Sequence, residues 1–312
     1  MSKRAKDASG ESGATVRIQK FLSDAGVASR RHAEELVRSG RVLVNDTIVD
    51  ELPVFVDPQH DRVIVDGRRV RPQRHEYFIL HKPRGFVCTN RDPGGRRRVI
   101  DLLPRISARV FPVGRLDLDS SGLLILTNDG ELAQQIAHPR YGLPKVYHVE
   151  VRGAAPPDIA EKLEAGVHRA EGKARASGAR VLHRSRERTV LTLTLREGRN
   201  RMVRRLLAKL GHPVRRLKRV RIGPIELKRL PEGACRRLSL KEVDLLREAV
   251  RQNERIVRPR RNVGRGARPR ARKPKSRAAA RKTSTPAGAG KGGKKRKMAK
   301  TDTPRRKRRV IS

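Results

Sequence analysis

Apolar residues recur at Ile18, Phe21, Leu22 and Ala25, the i, i+3, i+4, i+7 spacing of one helical face, and Gly26 follows as a stop signal. A second helix is predicted from Ser29, an N-capping residue, through Ala33, Leu36 and Val37 to Gly40. The period then changes to two. RVLVNDTIV and DRVIVDGRRV alternate apolar with polar positions, and Asn45-Asp46 and Asp66-Gly67 fall where tight turns reverse the chain. Residues 15–74 therefore form a small unit with a marginal but feasible core.

After the polar stretch RPQRHE at 71–76 the signals are mixed. Strands are predicted at 77–81, 109–113, 123–127, 146–151, 180–184, 188–196 and 215–222. Helices are predicted from Glu131, from Pro157, over NRMVRRLLAKLG with Val203, Leu206, Leu207 and Leu210 on one face, and over SLKEVDLLREAV, which opens with a Ser239/Glu242 capping box. Strands outnumber helices without regular alternation. The expected class is α+β: the small first unit, then a domain over 75–250 with a largely antiparallel mixed sheet flanked by helices.

Charge changes the picture. The 312 residues carry 76 Lys and Arg against 32 Asp and Glu, a net of +44. Residues 251–312 hold +23 of that and none of the eight aromatics, so they read as a disordered basic tail adding salt-sensitive, sequence-blind affinity. The remaining +21 sits on residues 1–250, nearly all of it on the folded body, and the partner expected is a nucleic acid. Residues 1–14 read as a flexible N-terminus. No apolar run approaches the roughly 20 residues of a membrane span, and MSKRAKDASGES has no apolar signal region. Cys88 and Cys235 form no C-x-x-C pair, and no His spacing suggests a metal site, so neither metal nor disulfide framework is expected.

Lys20, Arg30, Arg31, Arg38 and Arg41 cluster around the helix–turn–helix. A solvated charged face is the ordinary explanation. The run RIQKFLSDAGVASRRHAEELVRSGRVLVNDTIV is more specific: AG-x-ASRR after the first helix and G-R-V-x-V-N after the second closely resemble the αL RNA-binding module named after ribosomal protein S-four.

The densest motif is VGRLDLDSSGLLILTNDG, Val113 to Gly130, which places Arg115, Asp117, Asp119, Ser120 and Ser121 on a loop between hydrophobic strands. Rigidly held loops are where catalytic groups tend to lie, yet Asp-Ser-Ser-Gly is also a common turn. Taken with KPRGFVCT (82–89), KVYHV (145–149) and EGRNRMVRRLLAKLG (197–211), its order and spacing resemble the RsuA/RluB-type pseudouridine synthases of ribosomal RNA, whose catalytic domain also follows an αL module. NRDPGGRRRVIDLLP and EGRNR look most like the large-subunit, B-type branch; the small-subunit branch is the alternative.

The resemblance implies roles. Asp117 matches the catalytic aspartate, Tyr147 the tyrosine that stacks near the target base and is placed to accept the C5 proton, and Arg204 the basic residue that pairs with the aspartate. Arg115 and Leu116 flank Asp117 and are expected at the RNA, as are Lys20, Arg30, Arg31, Arg84, Arg199 and Arg201; Arg96 and Arg97 are further phosphate-binding candidates. Lys82 and Gly85 are expected to be architectural and Asp119 to serve a turn or cap. Met202 stands where many relatives have Gln. Breaking N1–C1′, turning the base and rejoining through C5 needs a carboxylate near C1′ but no redox or phosphoryl step, so no cofactor or metal is implied. A monomer in the bacterial cytoplasm is expected. The rival reading is a non-catalytic RNA-binding ribosome-assembly factor, which would have no use for Asp117, Tyr147 and Arg204 together. Tyr77, Phe78, Phe86 and Phe111 are expected in the core, with Cys88 and Cys235 ordinary thiols.

Overall fold

The computed structural model describes residues 15–167, 175–197 and 201–257. The proposed flexible N-terminus, most of the basic tail and Arg199 lie outside the described residues.

In the first unit β1 (Val16–Arg17) leads directly into α1 (Ile18–Asp24), and α2 (Arg30–Arg38) packs against it. Ser29 caps α2 as its position predicts, its Oγ accepting from the His32 amide at 3.3 Å. Then come β2 (Val42–Val44), β3 (Thr47–Val49), β4 (Phe55–Val56), β5 (Val63–Val65) and β6 (Arg68–Val70). Strands β3-β2-β5-β6 form one antiparallel sheet, and β4 pairs with β1. Asn45, Asp46, Asp66 and Gly67 all have positive φ, the backbone that two-residue hairpin turns demand and these residue types tolerate. Ile18, Phe21, Leu22, Ala33 and Val37 bury their side chains against Val42, Val56, Val63 and Val65.

The polar stretch at 71–76 is bonded on both sides. Gln73 N donates to Asp24 O (2.9 Å), and its Oε1 accepts from the Arg109 amide (3.2 Å). Asn128 holds the next residues, donating to Arg74 O and accepting from the Glu76 amide.

The larger body contains β7 (Tyr77–Lys82), β8 (Phe111–Pro112), β9 (Ser121–Thr127), α3 (Gly130–Ala137), β10 (Lys145–Arg152), α4 (Ile159–Ala165), β11 (Ser177–Arg184), β12 (Arg188–Leu195), α5 (Met202–Lys209), β13 (Val214–Ile222), β14 (Ile225–Glu226), β15 (Cys235–Arg237) and α6 (Leu240–Val257). The sheet order is β11-β12-β10-β13-β9-β7-β15, with β8 on β9 and β14 on β13. Its named pairings are antiparallel except β9–β13, which is parallel and joins only Lys218 with Ser121 and Arg219 with Gly122. Strands β7 and β9 are apolar without alternation because both faces are covered. Ile79, Leu123 and Ile125 meet α3 and α6, while Phe78, Leu80, Leu124 and Leu126 meet Val99, Ala108 and Val110. Strands β10 and β12 alternate and bury one face against α4 and α5.

Helix α6 starts at the expected capping box, Glu242 Oε2 accepting from Ser239 N and Ser239 Oγ from Glu242 N. It then runs to Val257, past the boundary expected at 250, with Val243, Leu246 and Val250 buried against the sheet body. Strands β14 and β15, two and three residues long, are too short for a period to show in sequence.

Candidate active site

The Val113–Ser120 segment delivers Asp117 just ahead of β9. Ser120 N donates to Asp117 O at 3.1 Å, closing a turn that leaves Leu116 buried on one side and Leu118 exposed on the other. Lys82, at the end of β7 and fully buried, holds the same turn: its Nζ donates to Ser120 O (2.8 Å) and Pro83 O (2.9 Å). Burial pulls its pKa down while Asp119 and Asp117 push it back up. The architectural role expected for Lys82 therefore takes a definite form, a cation under the loop.

Asp117 opens into a cavity of about 250 Å³ shared with Lys145, Tyr147, Arg201, Met202 and Arg219. Two arginines from the start of α5 bracket it. Arg201 Nη1 lies 3.6 Å from Asp117 Oδ2 and 3.3 Å from Asp119 Oδ1. Arg204 sits deeper: Nη2 donates to Asp119 O (3.0 Å) and Ser120 Oγ (3.3 Å), Nη1 to Val214 O (3.2 Å). Its Nη2 is also 3.2 Å from Asp119 Oδ2, whereas its Nε is 3.9 Å from Asp117 Oδ2 and, though buried, has no hydrogen-bond partner among the described residues. Burial lowers the Arg204 pKa against the pull of Asp119. Arg204 thus clamps loop to helix through Asp119, with one donor left facing Asp117. Apo catalytic hydrogen bonds are commonly this long and tighten when substrate arrives. Asp119, expected only to shape a turn, is the carboxylate that fixes both arginines.

Tyr147 projects from β10, 8 % exposed, packed in the cluster that holds Leu116, Met202 and Val203. The pairing places it opposite Arg219 on β13 and Leu193 on β12. A carboxylate held by two arginines beside a buried tyrosine in a small cavity can stabilise, or bond to, an electron-poor carbon while an aromatic ring covers a planar group.

Two models of known families match the chain: one for RNA pseudouridylate synthase over residues 76–209, one for the S4 domain over residues 16–58. A ribosomal large subunit pseudouridine synthase B of Bacillus subtilis is 43% identical over 233 residues, covering 74% of this chain and 95% of the relative. The chain belongs to the RNA pseudouridine synthase family. An uncharacterized member from Aquifex aeolicus is 48% identical over 236 residues, covering 75% of this chain and 95% of that one. A crystal structure of a pseudouridylate synthase superposes with a TM-score of 0.53 at 28% identity, covering 74% of this chain and 99% of that chain. In this member of the family Arg115 is exposed on the cavity lining and Arg84 is exposed and donates to Arg215 O, whereas Leu116 is buried in the cavity wall.

On the S4 domain Arg30 and Arg31 are exposed and Lys20 is ion-paired with Asp24 at 2.6 Å. Lys20 and Arg30 border a depression with Arg17 and Phe55, and the Arg17 guanidinium lies 5.9 Å from the ring centroid of the half-exposed Phe55. Cation and exposed ring together suit a nucleic-acid surface. The sequence pattern did not single out Phe55, Arg17, Lys145 or Arg219. The signal for Arg219 was its parity with Leu217 on β13; Phe55 had none beyond being an aromatic in a polar stretch.

Proposed function

We propose that this enzyme isomerises uridine to pseudouridine at a defined site in large-subunit ribosomal RNA. The observation that carries the reading is Asp117, set in the cavity with Tyr147 and bracketed by Arg201 and Arg204. In this reading Asp117 meets the electron deficiency that develops at C1′ as the N1–C1′ bond breaks, and the two arginines keep the carboxylate aimed. Tyr147 covers the base and stands ready for the C5 proton once C5 has replaced N1 at the sugar. Asp119 activates no water, since net hydrolysis would destroy the substrate. Extruding the target nucleotide costs about a few kcal/mol, which phosphate contacts from Arg84, Arg115 and Arg199 offset. The S4 domain, residues 15–74, brings Lys20, Arg30 and Arg31 to neighbouring RNA, and residues 75–257 hold the chemistry. The enzyme works as a monomer in the bacterial cytoplasm. The large-subunit assignment draws on the Bacillus subtilis relative, whose name specifies that subunit.

The test is a pseudouridine map of unmodified large- and small-subunit transcripts, and of assembly intermediates, after treatment with wild type or Asp117→Ala. One new large-subunit site, absent with the variant, is expected. A site confined to the small subunit overturns the subunit; no site on any of these RNAs despite tight binding leaves the assembly-factor reading.

A further inference from the structure

Two buried cations share the cavity with Asp117 without holding it. Lys145 and Tyr147 are two residues apart on β10 and project from the same face; Arg219 stands opposite Tyr147 across the β10–β13 ladder. Lys145 is 8 % exposed and Arg219 2 %. Lys145 Nζ donates to Ile136 O (3.2 Å) and Leu143 O (3.3 Å), and among the described residues no third acceptor reaches its remaining N–H. Arg219 Nε donates to Leu123 O (2.8 Å), but its buried Nη2 has no hydrogen-bond partner among the described residues.

Buried charge without a counter-ion is expensive. Burial, aided by the charge of Arg219, draws the Lys145 pKa down to about 8, and no carboxylate acts to restore it. Leu195, Val203 and Leu217 line the same cavity with apolar surface; Asp117 and Glu197 are the carboxylates on its lining, and neither acts on the Lys145 pKa. Two donors held at such a cost over an apolar floor imply a ligand that is itself negative or becomes so.

We propose that Lys145 and Arg219 form a base-anion site, binding the carbonyl oxygens of the uracil ring and holding the negative charge the base acquires on leaving the sugar. The inference rests on the isomerase reading above. When N1–C1′ breaks, the bonding pair stays on the base, which becomes a uracil monoanion with charge spread over N1 and the ring carbonyls. The sugar's deficiency is met by Asp117. After the base turns, C5 supplies the pair for the new bond to C1′, the carboxylate is released, the C5 proton passes to a base and a proton returns to N1. Composition and oxidation state are unchanged. The charged floor stabilises the leaving group and also keeps the detached base from escaping while it turns.

The probes are uracil and barbiturate, the latter a 6-hydroxyuracil that is anionic at neutral pH. Calorimetric titration of the wild-type enzyme at pH 7 should show barbiturate binding about tenfold or more tightly than uracil. The preference should vanish in Lys145→Met and shrink in Arg219→Lys. With RNA, Lys145→Met should lose about 10²-fold in single-turnover rate, the scale of one lost anion-stabilising donor, with RNA affinity within about twofold of wild type. Lys145→Arg should recover most of the rate. Equal affinity of wild type for the two bases, or no barbiturate binding at millimolar concentration, overturns the site and requires no variant to fold. An active wild type that shows no preference removes this inference alone. A wild type that makes no pseudouridine on any ribosomal RNA removes the reading beneath it, and the base-anion role with it.

Discussion

Gly122 is where strand β9 touches β13, and replacing it by alanine tests whether that approach builds the site. The residue has φ +115°, a backbone that side chains rarely adopt. An added Cβ would lie 2.5 Å from Arg219 N and 2.9 Å from Arg219 C, and closer still to the carbonyl oxygen. The clash is with backbone, so no side chain can swing away; the strands must part. Overpacking of this kind costs about 1–3 kcal/mol, and the strained φ about as much again, giving roughly 2–6 kcal/mol for Gly122→Ala. Gly233 supplies the control, since its φ is +85° and an added Cβ would meet nothing within 4 Å. Gly233→Ala should therefore show only the backbone part, about 1–3 kcal/mol. Urea denaturation followed by circular dichroism measures both. Because Arg219 is moved with its strand, Gly122→Ala should also lose catalytic rate at temperatures where it remains folded, while Gly233→Ala should not. Equal destabilisation by the two substitutions, or a Gly122→Ala enzyme of normal rate, would falsify the close-approach argument.

Two further outcomes are expected. Arg204→Met removes donors to Asp119 O, Ser120 Oγ and Val214 O; it should cost about 3 kcal/mol in denaturation experiments and depress kcat far more than it raises KM, and Arg204→Lys should not rescue it, because an ammonium cannot span loop and strand at once. Unchanged stability in Arg204→Met would show that the clamp is not structural. Native Lys145 releases its proton near pH 8, whereas the unfolded side chain keeps its own to 10.5. Between those values the unfolded state binds more protons, so wild-type stability should climb with pH by up to roughly 3 kcal/mol relative to Lys145→Met, whose profile lacks that rise. Parallel pH profiles for the two proteins would show that Lys145 is not desolvated as described.

Most of the scaffold was legible because its strands and helices are long enough to show a period. The α2 cap at Ser29, the turns at Asn45-Asp46 and Asp66-Gly67, and the α6 capping box each follow from local chemistry that does not depend on distant parts of the chain. Of the three residues that the motifs mark as catalytic, Asp117 and Tyr147 share a cavity, whereas Arg204 is not among its lining and holds the loop from behind through Asp119 O and Ser120 Oγ. What sequence concealed was the direction of charge. Along RRLKRVRI, Arg215 and Arg216 face solvent while Arg219 is buried, and composition alone treats all of them as RNA-facing. Arg201, read as a phosphate contact, is 3.6 Å from the Asp117 carboxylate, and Arg204 grips Asp119 more closely than Asp117. These assignments depend on contacts between elements far apart in sequence, for which local pattern has no signal.

The parallel meeting of β9 and β13 also sets a timetable. Arg219 bonds to Leu123 across 96 residues, and Arg204 to Asp119 across 85. At about 5–20 residues per second, a ribosome making this protein delivers Asp117 roughly 5–20 s before the strand that completes its pocket. Contacts of such long sequence separation are also the slow ones to form. The S4 domain, whose core is closed by Val65, has all its parts long before then. The S4 domain can therefore be assembled on the nascent chain while the cavity around Asp117 is still missing a wall, and that cavity is complete only once β13 has docked.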